Sequence, residues 1–175
     1  MEFKELSLAN MEEVRLWRNQ QLHTLRTPYH LTQEMQAEFY KNVVCNRNSN
    51  SRWWGIYNDN KTSPSFIGMC GLLNIEWENS LGEISIILKP ISQGMKNGTA
   101  AVHMLLDRGF NQLNLKTIYG ECYESNSAIK FWKKISNTYN AINVYMPNRK
   151  YWEGKYYHSL YFSIDKEDFN GTIHT

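Results

Sequence analysis

The hydrophobic period changes once between Gly82 and Phe110. Gly82–Leu88 places Ile84, Ile86 and Leu88 on one side of an extended strand. Thr99–Phe110 instead repeats Val102, Leu105, Leu106 and Phe110 at helical spacing. The stretch between them, Pro90–Gly98, holds two glycines. A strand that runs through such a loop into a helix lets backbone N–H groups converge, and the helix N-terminus adds unpaired donors and partial positive charge. That combination suits a pyrophosphate, although a plain tight turn has the same look. It is not a Walker loop, because the Gly-Lys-Ser/Thr ending is missing. It is not a dinucleotide fingerprint either: the glycine spacing differs and the strand belongs to a meander.

The other elements follow from similar signals. Phe3–Leu8 alternates as a half-buried strand would, and Asn10 can cap a helix carrying Met11, Val14 and Trp17, with Glu13 as capping-box partner. After the turn signal Thr27-Pro28, Thr32 caps a second helix with Met35, Phe39 and Val43 four apart. Arg52–Tyr57 and Phe66–Ile75 read as strands around the turn-rich Asn58–Ser65, and with Gly82–Leu88 they form an antiparallel meander. Lys116–Tyr123 is a further strand. Ser125 or Asn126 then caps a helix with Ala128, Ile129, Trp132 and Ile135. Two last strands flank a turn at Trp152-Glu153-Gly154. This order predicts one mixed α/β domain over 1–165 and a frayed polar tail over 166–175.

Composition narrows the function classes. With 42% hydrophobic and 21% charged residues the chain can bury a core. A net charge of only +2 argues against a nucleic-acid footprint and leaves a local patch open. Lys130, Lys133 and Lys134 form the densest basic cluster, which is either a solvated helix face or a counter-charge for phosphates. Cys45, Cys70 and Cys122 are odd in number, widely spaced and unlike a metal-ligand pattern, so they read as reduced thiols with no metal. The N-terminus has no apolar signal core, and no window approaches the roughly 20 apolar residues of a spanning helix. The expectation is a cytoplasmic protein with no membrane contact.

Glu83-Ile84-Ser85-Ile86-Ile87-Leu88-Lys89-Pro90 followed by Gln93-Gly94-Met95-Lys96-Asn97-Gly98-Thr99 resembles the acetyl-CoA signature of the GNAT acetyltransferases, Gln/Arg-x-x-Gly-x-Gly/Ala. Gln93 matches its first position and Gly98 its last, while Lys96 replaces the middle glycine. Val14–Asn19 and Phe66–Leu72 resemble segments of the RimJ/RimL-like branch, and Tyr123–Ile135 and Gly154–His158 resemble the family's last helix and last hairpin, all in the family's order. The resemblance implies a GNAT-like α/β fold. Its sheet would be mostly antiparallel, with about seven strands splayed at an acyl-CoA cleft, and about four helices. It also implies an N-acetyltransferase that moves an acetyl group from acetyl-CoA to a primary amine. Ile86, Ile87 and Leu88 would line the pantetheine, Gln93–Thr99 would hold the pyrophosphate, and Asn126 and Trp132 would also meet the donor.

Acetyl transfer needs a deprotonated amine, a polarised thioester and a proton for the leaving thiolate. Glu83, opening the cleft strand, is the candidate base. Many GNAT enzymes use a Tyr on the last helix as acid, but Trp132 stands there and an indole N–H is too weak an acid, so Tyr123 is the nearest phenol. Cys122 has no His-Asp partner pattern and reads as a buried strand residue. Arg18, Asn19, Arg26, Tyr29 and Trp53 are candidate acceptor contacts. The acceptor class stays open among small molecules, aminosugar nucleotides and protein N-termini, and the oligomeric state between monomer and homodimer. A regulatory GNAT-like module or a nucleic-acid-modifying acyltransferase are the competing readings.

Overall fold

The computed structural model describes residues 1–59 and 64–173; the turn expected over Asn58–Ser65 lies partly outside them. Seven strands form one sheet: β1 (Glu2–Lys4), β2 (Arg52–Tyr57), β3 (Phe66–Glu76), β4 (Leu81–Leu88), β5 (Thr117–Tyr123), β6 (Ile142–Trp152) and β7 (Lys155–Asp165), in the order β1-β2-β3-β4-β5-β7-β6. Every neighbouring pair is antiparallel except β4–β5. The α-helices are α1 (Leu8–Asn19), α2 (Gln33–Phe39), α3 (Asn97–Asp107), α4 (Ile129–Thr138) and α5 (Lys166–Ile173). Helices α2 and α3 each run on into a π-helical turn, Tyr40–Val44 and Arg108–Gln112.

The sheet is covered on both faces. On one side α3, α4 and α5 supply Leu105, Leu106, Trp132, Ile135 and Phe169 to the larger core, with Leu72, Ile84, Ile118, Leu160 and Phe162 from the strands. On the other, α1 lays Met11, Val14 and Trp17 over Phe66 and Met69, and Trp17 stacks on Phe66 at 5.6 Å. No helix among the described residues is long and apolar enough to cross a membrane.

Several expected boundaries move for identifiable reasons. The first strand stops at Lys4, because Ser7 rather than Asn10 caps α1. The Ser7 hydroxyl accepts the Asn10 N–H at 3.2 Å and Asn10 Oδ1 accepts the Ser7 N–H at 3.0 Å, so Asn10 holds the third helical position. Thr32 caps α2 as expected, accepting the Met35 N–H at 3.2 Å, yet Met35 itself is exposed. Helix α4 begins at Ile129, with Ala128 rather than Ser125 or Asn126 as its cap residue. The stretch expected to fray is α5: Phe169 is fully buried, against Phe110 at 5.4 Å and Tyr139 at 5.5 Å. The hairpin turn falls where expected, with Glu153 at φ 46° and Gly154 at φ 79°.

Candidate functional site

The parallel pairing of β4 with β5 covers three residue pairs only, Leu81↔Thr117, Gly82↔Ile118 and Glu83↔Tyr119. Beyond Glu83 the two strands part, since β4 continues to Leu88 along β3 and β5 continues to Tyr123 along β7. A V-shaped gap therefore opens at Glu83, and the β4 edge from Ile84 to Leu88 faces it with no partner strand. Unpaired backbone donors and acceptors along such an edge can hold an extended polar chain. Ile86 and Leu88 turn their side chains into the larger core and Ile87 into the smaller one.

Helix α3 starts beside the wide end of this gap. Its cap residue is Lys96, in the left-handed region at φ 62°, and no side chain caps the helix. Gly94 adds a second positive φ of 77°. The first N–H groups of α3 thus have no side-chain acceptor, and such uncapped donors suit a phosphate. Gln93 Nε2 donates to the Leu88 carbonyl at 3.3 Å, and Asn97 Nδ2 to that of Ser92 at 3.0 Å, so both side chains brace the loop. Met95 is exposed. A Cβ added at Gly98 would lie 3.3 Å from the Phe131 ring, so α4 packs closely on the first turn of α3. Asn126 Oδ1 accepts the Ala128 N–H at 2.9 Å, shaping the turn before α4. Trp132 is spent on packing: its ring stacks on Phe162 at 4.9 Å inside the core.

Period two along the strands sets the other face of the gap. Ile118 and Cys122 on β5 and Leu160 and Phe162 on β7 enter the larger core. Tyr119, Glu121, Tyr123, Ser159 and Tyr161 therefore share the opposite face, where Tyr119 stacks on Tyr161 at 5.5 Å. Glu83 lies there too. It is buried and accepts hydrogen bonds from Asn74 Nδ2 at 2.8 Å and from Arg26 Nη2 at 2.8 Å. The same Arg26 nitrogen reaches Glu121 Oε2 at 3.3 Å. Glu121, its side chain 4% exposed, also accepts from Arg149 Nε at 2.9 Å and Ser159 Oγ at 2.8 Å.

These contacts set the charges. The hydrogen bond to Glu83 pushes the Arg26 guanidinium further up, against burial, so it stays a cation. Burial would raise the Glu121 carboxyl, but the hydrogen bonds from Arg149 and Ser159 and the charges of Arg149 and Arg26 outweigh it and hold it low. Burial first, then the charge of Glu83, raises the Tyr119 and Tyr161 phenols, which stay protonated at neutral pH. Burial, aided by Glu121, pushes the Cys122 thiol up to about 12, so it is no nucleophile.

The structure brings the catalytic candidates Glu83 and Tyr123 and the acceptor candidate Arg26 to one face and gives the other acceptor candidates different surroundings. Asn19 spends its amide on the Leu31 backbone, accepting the N–H at 2.8 Å and donating to the carbonyl at 2.9 Å, and so anchors the loop between α1 and α2. Arg18 is largely buried with its Nε lacking a hydrogen bond, and burial lowers its guanidinium. Trp53 packs edge-on against Phe39 at 5.6 Å, its indole N–H also without a partner. Tyr29 is exposed. Asn74, Tyr119, Glu121, Arg149, Lys150, Ser159 and Tyr161 are the residues of this face that sequence reasoning missed. Alternation along Gly120–Tyr123 was the one signal pointing to Glu121. Among the described residues no group of three or more His, Cys, Asp or Glu is placed to hold a metal.

Residues 2–131 match the acetyltransferase (GNAT) domain. The chain belongs to the GNAT acetyltransferase family. This GNAT chain is accordingly an enzyme that transfers an acetyl group from acetyl-CoA to an amine, and the uncapped start of α3 and the free β4 edge fit that donor. No curated protein sequence matches it. Solved structures agree in fold. The spermidine N-acetyltransferase of Vibrio cholerae in complex with CoA and spermine superposes with a TM-score of 0.82 at 17% identity, covering 97% of each chain. A point mutant of the same Vibrio cholerae enzyme gives a TM-score of 0.80 at 17% identity, again over 97% of each chain.

Proposed function

We propose that the acceptor amine enters over the face carrying Glu83, Tyr119, Glu121, Tyr123 and Tyr161, with Glu83 as the base. The observation that carries this reading is the end of the β4–β5 ladder at the pair Glu83↔Tyr119. The only carboxylate on β4 therefore stands at the apex of the gap, next to where a thioester lying along the β4 edge would end. The donor supplies an activated acetyl carbonyl. The amine lone pair forms the N–C bond, the C–S bond breaks, Glu83 takes the ammonium proton directly or through water, and the thiolate takes a proton from Tyr123. Free N–H groups of the β4 edge polarise the carbonyl.

Gln93–Thr99 and the Asn126 turn hold the donor, with the Trp17-Arg18-Asn19 segment favouring the RimJ/RimL-like branch. The protein acts in the cytoplasm as a monomer or homodimer. The structural neighbours are named for spermidine, but here both carboxylates of the face are bound by arginine, so among the described residues this face offers no unpaired carboxylate to a polyamine. A small amine, an aminosugar nucleotide and a protein N-terminus remain the acceptor classes.

Glu83→Gln tests the assignment. Turnover with a responsive amine should fall by roughly 10²–10⁴-fold, the usual worth of a positioned base, while acetyl-CoA affinity by calorimetry stays put. A variant with full turnover would remove Glu83 from the mechanism.

A further inference from the structure

Lys150 is a buried lysine that no carboxylate neutralises among the described residues. A buried ammonium needs other compensation. Its Nζ donates to the Leu22 carbonyl at 3.2 Å and to that of Leu25, and lies 5.5 and 5.3 Å from the ring centroids of Tyr123 and Trp152. The β6 bulge between Met146 and Lys150, with Asn148 at φ 54°, lets the adjacent Arg149 and Lys150 both serve this face. The two carbonyls belong to a single 3₁₀ turn, Leu22–Thr24, and its C-terminal end. A second tether reaches the same turn: Ser125 Oγ donates to the His23 carbonyl at 2.6 Å. The next residue after the clamped Leu25 is Arg26, whose guanidinium bridges Glu83 and Glu121.

We propose that Lys150 is a positioning residue for the acceptor half of the reaction, clamping the turn at Leu22–Leu25 so that Arg26 is presented to Glu83 and Glu121. The Arg26 side chain is 58% exposed and enters the face from a loop, so the position of that loop bears directly on its contacts. Lys150 supplies the fixed point on the sheet. Burial lowers the Lys150 ammonium below the ordinary lysine value, and the groups that face its charge are carbonyl dipoles and aromatic rings rather than an acid. The clamp thereby orients the carboxylate proposed above as the base, and the inference rests on that reading.

The test is a double-mutant cycle on the full chain. Lys150→Met keeps the apolar stem and removes the donors; Arg26→Gln removes the guanidinium. The probe is whichever of butylamine, 1,4-diaminobutane, spermidine and glycinamide turns over fastest. Each single variant should lower kcat/KM for the amine by about tenfold, and the double variant by little more than the worse single, because both break one chain of contacts. KM for acetyl-CoA should not move. Amide hydrogen exchange, which needs no acceptor, should quicken over residues 22–26 in Lys150→Met while β2 and β3 stay protected. Lys150→Gln, which keeps a donor, should fall between. Effects that multiply in the double variant, an equal rise in KM for acetyl-CoA, unchanged exchange at 22–26, or variants that fail to fold would each overturn the positioning role. Glu83→Gln run beside them separates this from failure of the base: full activity there with a coupled cycle sinks the base and leaves the clamp.

Discussion

Lys96→Gly should stabilise the protein. Lys96 sits at φ 62° as the cap residue of α3, and no side-chain hydrogen bond rewards it there. An L-residue in the left-handed region costs about 1–2 kcal/mol from the crowding of Cβ against the following carbonyl. Glycine removes that crowding and gives back roughly 0.4–1 kcal/mol through its freer unfolded chain. The net gain is about 0.5–1 kcal/mol, a rise of roughly 1–4 °C in Tm for a domain of this size. Lys96→Ala is the control, because it keeps Cβ and loses only the ammonium, so it should stay within about 0.5 kcal/mol of the parent. Thermal melts followed by circular dichroism, with urea midpoints at ambient temperature, measure both. An alanine variant stabilised as much as the glycine variant would place the gain in the lost charge and refute the backbone argument. A glycine variant that melts lower would show that the turn carries no strain to relieve.

Two further outcomes follow from the packing and the charges. Phe169→Ala should cost about 3–5 kcal/mol by urea denaturation, because a fully buried ring between Phe110, Tyr139 and His103 leaves a cavity; a loss under about 1 kcal/mol would mean that α5 does not dock in solution. Glu121 has its folded pKa held below the ordinary glutamate value, so its contribution to stability is present above the unfolded value and is lost as pH falls through the folded one. Urea midpoints taken from neutral pH down through the carboxylate range should therefore drop more steeply in the parent than in Glu121→Gln, and parallel curves would refute the pairing with Arg149 and Ser159.

What could be read from the chain and what could not divide along the distance over which each feature is decided. The β2–β4 meander, the α3 stripe and the Glu153-Gly154 turn are local: period two, period 3.6 and a positive φ are written within a few residues of where they act. The caps were nearly local too: Thr32 caps α2 as expected, and the α1 cap went astray by one competing partner. Asn10 is a good cap residue, but Ser7 offers its hydroxyl one turn earlier and Asn10 answers it as the third helical residue. The end of the chain failed for another reason: a polar segment with a single aromatic looks frayed until the hollow beside Phe110 and Tyr139 is known to exist.

The site divides in the same way. Glu83, proposed as the base, and the loop from Gln93 to Thr99, proposed to hold the donor, adjoin in sequence, so a family pattern could expose both. The acceptor half is assembled from Arg26, Glu121, Arg149 and Lys150, brought together only when β7 pairs with β5, β6 curls at its bulge and the loop after α1 folds back across the sheet. Each contact joins residues far apart in the chain, and no spacing rule predicts a lysine held by two carbonyls rather than by an acid. That asymmetry has a functional consequence. The donor is common to the whole family and can be served by a contiguous segment, whereas what distinguishes one acceptor from another has to be built by tertiary contacts. The residues that decide the acceptor of this enzyme are therefore to be sought among the long-range pairs around Glu121 rather than in the glycine loop.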